Sequence, residues 1–158
     1  MLNTFTVSFF GHRRIERFSG LEEQLARLIR TLIETNDYVE FLIGRNGEFD
    51  QLASSAIRFA KRTLRSDNSC HTLILPYETA EYRDNQQAFL EYYDSVEVFQ
   101  PAKPVHFKAA IGARNRQMVD RSDLVVFYFD HESGGAYQTY QYAIQKGKRI
   151  VKLKGFSE

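Results

Sequence analysis

The chain alternates short apolar runs with longer stretches in which apolar residues recur every three or four positions. "TFTVSFF" at 4–10 is β-branched and aromatic and stops at Gly11, which predicts a buried strand. From Leu21 the period changes. Leu21, Leu25, Leu28, Ile29, Leu32 and Ile33 fall on one helical stripe. Ser19 with Glu22 predicts a capping box ahead of it, and Asn36-Asp37 its end. "YVEFLI" at 38–43 is a second strand, closed by Gly44. Asp50 is placed to cap a helix carrying Leu52, Ala53, Ala56, Ala60 and Leu64, and "SDNS" breaks that helix. "HTLIL" at 71–75 is a third strand, stopped by Pro76. Residues 76–108 are the least regular, with a short helix, a short strand over 96–99 and a break at "PAKP". A helix follows from 106 to about Asp120. "LVVFYF" at 124–129 is a continuous apolar run, as in strands buried on both faces of a parallel sheet. A helix from about Gly135 to Lys146, a stop at Gly147 and a last strand "RIVKL" complete the pattern.

Strands alternating with helices imply right-handed βαβ units. The fold class is therefore α/β: a Rossmann-like, doubly wound, mainly parallel sheet flanked by helices on both faces. A length of 158 residues fits one domain over 1–158, and 43% hydrophobic residues can fill its core. The net charge of +1 carries no general polyanion signal, so nucleic acid is not an expected partner. Cys70 is the single cysteine and excludes an intrachain disulfide. With no run long enough to span a membrane and no signal-peptide pattern, a cytoplasmic protein without a membrane partner is expected. The aromatic segment from Tyr77 to Phe99 raises the expectation of a homodimer or larger assembly.

In an open parallel sheet the ligand lies beyond the carboxyl ends of the strands. Those ends carry "GHRR", "GRNGEFD", "PYETAEY" and "DHESGGAYQT". The glycine turns at 44–47 and 133–136 each precede a helix. Glycine lets backbone N–H groups approach an anion, and the helix N-terminus adds its own unpaired donors. A tight strand-to-helix turn is the other use of Gly134-Gly135. Thr139 offers a hydroxyl. His12, Arg13 and Arg14 can pair with phosphate or carboxylate. Arg114, Asn115 and Arg116 are successive on a helix and point about 100° apart, so only one or two reach one site. The Tyr rings from Tyr77 to Tyr93 can fill the core or stack on a nucleobase. No His or Cys spacing points to a metal, and no cofactor is indicated.

Taken together, "SFFGHRRI", "IGRNGEFDQLA", "RNRQMVDRSDLVVFYFD" and "SGGAYQTYQYAIQKGKRI" resemble the SLOG superfamily, over Phe9 to Ile150 and in the same order. Within it the chain is similar to the small, single-domain YspA/YpsA-related branch. LOG-type phosphoribohydrolases and the DNA-processing protein DprA belong to the same superfamily. The resemblance implies a site for a nucleotide, nucleotide-sugar or NAD-derived ligand, in a sensor or ligand-binding protein. It assigns phosphate or ribose contacts to Gly11, Arg13, Gly44, Gly47, Arg114, Asn115, Gly134 and Gly135. The chain departs from the superfamily where catalysis is concerned. Ala136 replaces a Thr of the "GGT" pattern, Thr139 takes the place of a catalytic Glu in the deoxyribosyltransferase pattern, and Gln141 that of the LOG Glu. Neither Thr nor Gln can act as a carboxylate base or nucleophile. For the alternative of a phosphoribohydrolase or N-glycosidase, Glu48 and Asp50 remain, though acids at a helix start also serve the dipole. A DprA-like nucleic-acid-binding module is a further alternative.

Overall fold

The most apolar strands occupy the centre of the sheet, where both faces must be covered. The computed structural model describes residues 3–16 and 20–154 and contains one six-stranded sheet. Its strands are β1 (Thr4–Gly11), β2 (Tyr38–Ile43), β3 (Ser69–Leu75), β4 (Ser95–Val98), β5 (Leu124–Tyr128) and β6 (Arg149–Lys152). All pairings are parallel, in the order β4-β3-β2-β1-β5-β6. β5 is buried at every position and inserts beside β1, with Val7 opposite Leu124 and Gly11 opposite Tyr128. The edge strands β4 and β6 have no fully buried residue. This is the α/β, Rossmann-like, doubly wound sheet that the alternating pattern implies.

The helices divide between the two faces. α1 (Leu21–Thr35) and α2 (Glu48–Thr63) cover one face. Leu21, Leu25, Ile29 and Ile33 of α1 pack with Ala53 and Ile57 of α2 against Val7, Phe9, Phe41 and Tyr128. α5 (Phe107–Arg121) and α6 (Gly134–Gln145) cover the other, where Met118, Val119 and Ala143 meet Phe10, Leu42, Val125 and Phe127. The chain changes faces between β4 and β5. β1 and β5 therefore flank the point where connections diverge, the usual place for a ligand crevice.

Three local expectations change, and a fourth falls outside the described residues. The Ser19 part of the capping box lies outside the described residues, and Gly20 precedes α1 with φ 79°. Asp50 does not cap α2. The helix begins at Glu48 after Gly47, and the Asp50 carboxylate turns back to accept the Asn46 N–H at 2.9 Å. β3 starts at Ser69 rather than 71, because the Val39 N–H donates to Asn68 and draws the chain into the ladder early. The irregular region holds two short helices, α3 (Ala80–Asp84) and α4 (Gln86–Tyr92), separated at Asn85 with φ −137°. Phe89 and Tyr93 there are buried within the chain's own core, so much of the aromatic surface that pointed to a partner is already covered. Among the described residues no helix is long and apolar enough to cross a membrane.

Two glycines are dictated by packing. A Cβ on Gly11 would run into the Phe49 ring, and one on Gly47 into the backbone of Arg13. Gly135 has open space where its Cβ would be. Gly11→Ala and Gly47→Ala are each expected to destabilise the fold by about 1–3 kcal/mol, the usual cost of overpacking. Gly135→Ala should change stability by less than about 1 kcal/mol. Urea denaturation of the three variants checks this ordering.

Candidate functional site

The carboxyl ends of β1 and β2, the N-terminus of α6 and one face of α5 enclose a cavity of about 380 Å³. Gly11, His12 and Arg13 line it from the end of β1, Gly44 and Asn46 from the end of β2, and Asp50 from α2. Ile111, Arg114 and Asn115 of α5 and Gly134, Gly135 and Ala136 of α6 complete the wall. The volume falls in the range of small-molecule sites. Residues separated by more than a hundred positions thus meet at the switch point.

α5 is amphipathic in an unusual sense, because its inner face carries polar residues. Arg114 is 1% exposed. Its Nη1 donates to the Ile74 carbonyl at 2.7 Å and its Nε to Asn115 Oδ1 at 2.9 Å. Asn115 Nδ2 donates to Thr139 Oγ1 at 3.3 Å, and Thr139 in turn donates to the Gly135 carbonyl at 2.9 Å. These bonds tie α5 to β3 and α6. Asp50 faces the same guanidinium across Gly44, whose Cβ would lie 3.1 Å from Asp50 Oδ2 and 3.3 Å from Arg114 Nη1. Burial raises the Asp50 carboxyl to about 6, against the Asn46 N–H bond and the Arg114 charge, which both pull it down. Burial lowers Arg114 to about 10, and the Asp50 charge opposes that fall. Arg114 stays charged at neutral pH, and Asp50 titrates close to it.

The two glycine turns differ. At the N-terminus of α2 the donors are taken: Glu48 N donates to the Arg13 carbonyl at 2.8 Å and Phe49 N to that of His12 at 3.4 Å. The Gly47 end of the turn is thus plugged by the loop after β1, and Gly47 and Glu48 stand off the cavity wall while Gly44 and Asn46 line it. At α6, Ser133 makes no capping bond, and Gly134, with φ 88°, and Gly135 open onto the cavity. Thr139 is also off that wall, its hydroxyl committed within the helix. Arg13 reaches the cavity from an exposed position. Arg114 and Asn115 both reach it, while Arg116 borders a different groove between α5 and α6.

His12 belongs to a cluster that sequence spacing could not reveal. Its ring stacks on His131 at 3.9 Å between centroids, and its Nε2 accepts the Asp130 N–H at 3.0 Å. Asp130 Oδ1 lies 3.1 Å from His12 Nε2 and 2.6 Å from His131 Nδ1. Burial and the neighbouring His131 lower the His12 pKa, while Asp130 opposes them. The accepted N–H marks Nε2 as the unprotonated nitrogen of a neutral ring. These are the three side chains among the described residues that offer metal-ligating atoms within 4.8 Å of one another. Their donor atoms are engaged with one another as they stand.

A scan against known protein families finds no match, and a search of curated proteins finds none. Solved structures do match. DNA processing protein A (DprA) from Streptococcus pneumoniae superposes with a TM-score of 0.66 at 15% identity, over 97% of this chain and 51% of that one. DprA from Helicobacter pylori superposes with a TM-score of 0.63 at 17% identity, over 95% of this chain and 65% of that one. The chain has the Rossmann-like fold of DprA. It spans about half to two thirds of the length of these DprA chains. The Helicobacter structure describes a single-stranded DNA binding mode, and this finding corrects the reading that nucleic acid is not an expected partner. A net charge of +1 does not exclude such a partner, because a total does not register where basic groups lie.

The charges around the cavity set its pH dependence. Lowering pH from about 7.5 to 5 neutralises Asp50. This makes the cavity more positive, so binding of sulfate, which does not titrate in this range, should tighten. Asp50→Asn should tighten binding at pH 7.5 on the order of tenfold, the worth of one pKa unit of charge interaction, and flatten the profile near pH 6. Isothermal titration with sulfate across this range is the check.

Proposed function

We propose that the cavity binds the phosphate of a nucleotide, nucleotide-sugar or NAD-derived ligand, and that the protein acts as a ligand-binding or sensor domain. One observation carries this reading. The uncapped N-terminus of α6, with Gly134 and Gly135 unobstructed, faces the same cavity as Arg13 and the buried Arg114. Backbone donors, helix dipole and guanidinium groups converge there on one anion. The motifs from Phe9 to Ile150 support placing the chain in the SLOG superfamily, in its YspA/YpsA-related branch.

The likeness to DprA favours a second reading, in which the phosphate belongs to a single-stranded DNA backbone. The chemistry at the cradle is the same. An oligonucleotide whose affinity falls steeply with salt, and which outcompetes a mononucleotide, would favour the strand. For the hydrolase alternative Asp50 is the better placed of Glu48 and Asp50, being the one carboxylate among the described residues on the cavity wall. Rapid release of base from a nucleoside monophosphate, lost in Asp50→Asn, would promote it.

Arg13 tests the binding reading. Its side chain is exposed, so Arg13→Ala should leave stability unchanged while weakening a nucleoside monophosphate by about 1.5–3 kcal/mol. The matching nucleoside should be nearly unaffected. Gly135→Val should abolish binding with the circular dichroism spectrum intact, because Gly135 does not have a positive φ. Equal losses for nucleotide and nucleoside would refute the phosphate assignment.

A further inference from the structure

An aromatic pair rises beside the cavity with no role in the core. Tyr77 follows β3 by two residues, and Phe107 opens α5. They meet edge to face, with ring centroids 6.3 Å apart and planes at 89°. Phe107 is 60% exposed and Tyr77 40% exposed. Val105, two residues before Phe107, is also exposed. The rings are held in place. His106 accepts the Lys108 N–H at 3.2 Å as the cap of α5, and its ring packs 5.2 Å from that of Phe107.

The position of the pair relates it to the cavity. α5 runs from the carboxyl edge of the sheet towards the start of β5, so its first turn stands at the rim. Ile111 and Arg114 line the cavity, and Phe107 is one turn ahead of Ile111 on the same side of the helix. Seven residues separate Phe107 from Arg114, about 10 Å of helix rise. On the other flank, the Ile74 carbonyl that accepts Arg114 Nη1 is three residues before Tyr77. Neither ring is on the cavity wall itself, so a ring bound there would lie outside the cavity, on the side where α5 begins. Fold stability does not account for the pair, since neither ring is buried. Aromatic faces next to a phosphate cradle are the usual means of holding a base without reading its edge.

We infer that Tyr77 and Phe107 form a stacking platform for the nucleobase of a ligand whose phosphate occupies the cavity. The inference rests on the phosphate reading above and adds a base subsite to it. The platform tolerates different bases, because every base offers a π-face.

The test compares adenosine 5′-monophosphate with ribose 5-phosphate by isothermal titration. The unmodified protein should bind the nucleotide at least tenfold more tightly than the sugar phosphate. Phe107→Ala and Tyr77→Ala should each cut that ratio severalfold and leave ribose 5-phosphate affinity unchanged. Phe107→Trp and Tyr77→Phe should preserve the ratio. If the unmodified protein binds both ligands equally, the platform is refuted and the phosphate site stands. If the alanine variants weaken both ligands alike, the rings support the fold and the platform is refuted. If neither ligand binds, the platform and the phosphate site fall together.

Discussion

A guanidinium without access to bulk water organises this site. Burying Arg114 is costly unless fixed acceptors replace its hydration. The replacements come from three directions: the Ile74 carbonyl at the end of β3, Asn115 on α5 itself, and the charge of Asp50 at the start of α2. Through Asn115 the connection continues to Thr139 and the first turn of α6. The positions of β3, α2 and α6 around the cavity are thus coupled to one side chain. Gly44 belongs to the same constraint, because a side chain there would press on both Asp50 and Arg114.

The distribution of backbone donors follows from a second packing decision. The loop after β1 folds across the start of α2 closely enough to leave no room for a Cβ on Gly47. Its carbonyls then consume the first donors of that helix. Among the described residues, none comes within 4 Å of where a Cβ on Gly134 or Gly135 would be. Two turns that read alike as glycine followed by helix therefore have opposite functions, one a seam between elements and the other an opening.

The fold was largely legible in the sequence. The continuous run "LVVFYF" marked β5 as a central strand, and the change of period at Leu21 marked α1. Element boundaries were less accurate where tertiary bonds decided them, as at Ser69 and Glu48. The site was legible at the level of which strand ends converge, since that follows from topology. What individual residues do there was not. Asp50 read as a cap because acids favour helix starts. Its burial beside Arg114 depends on a helix sixty-four positions away. His12, Asp130 and His131 are brought together by the β1–β5 pairing and share no local motif. Arg114 and Asn115 both reach the cavity, although successive positions point about 100° apart on the helix.

The β1–β5 pairing also has a consequence for assembly. The register brings Val7 beside Leu124 and Gly11 beside Tyr128, at sequence separations above a hundred. Contacts that close so long a stretch of chain form late unless something holds the ends together, since loop entropy is lost before the contact repays it. The α1–β2–α2–β3 layer can gain much of its packing from neighbours in sequence, but the cavity cannot exist until β5 docks. Its walls come from both sides of that last seam. A ligand in the cavity would therefore recognise only the fully wound chain, and its binding energy would stabilise that state by mass action over any partly wound one.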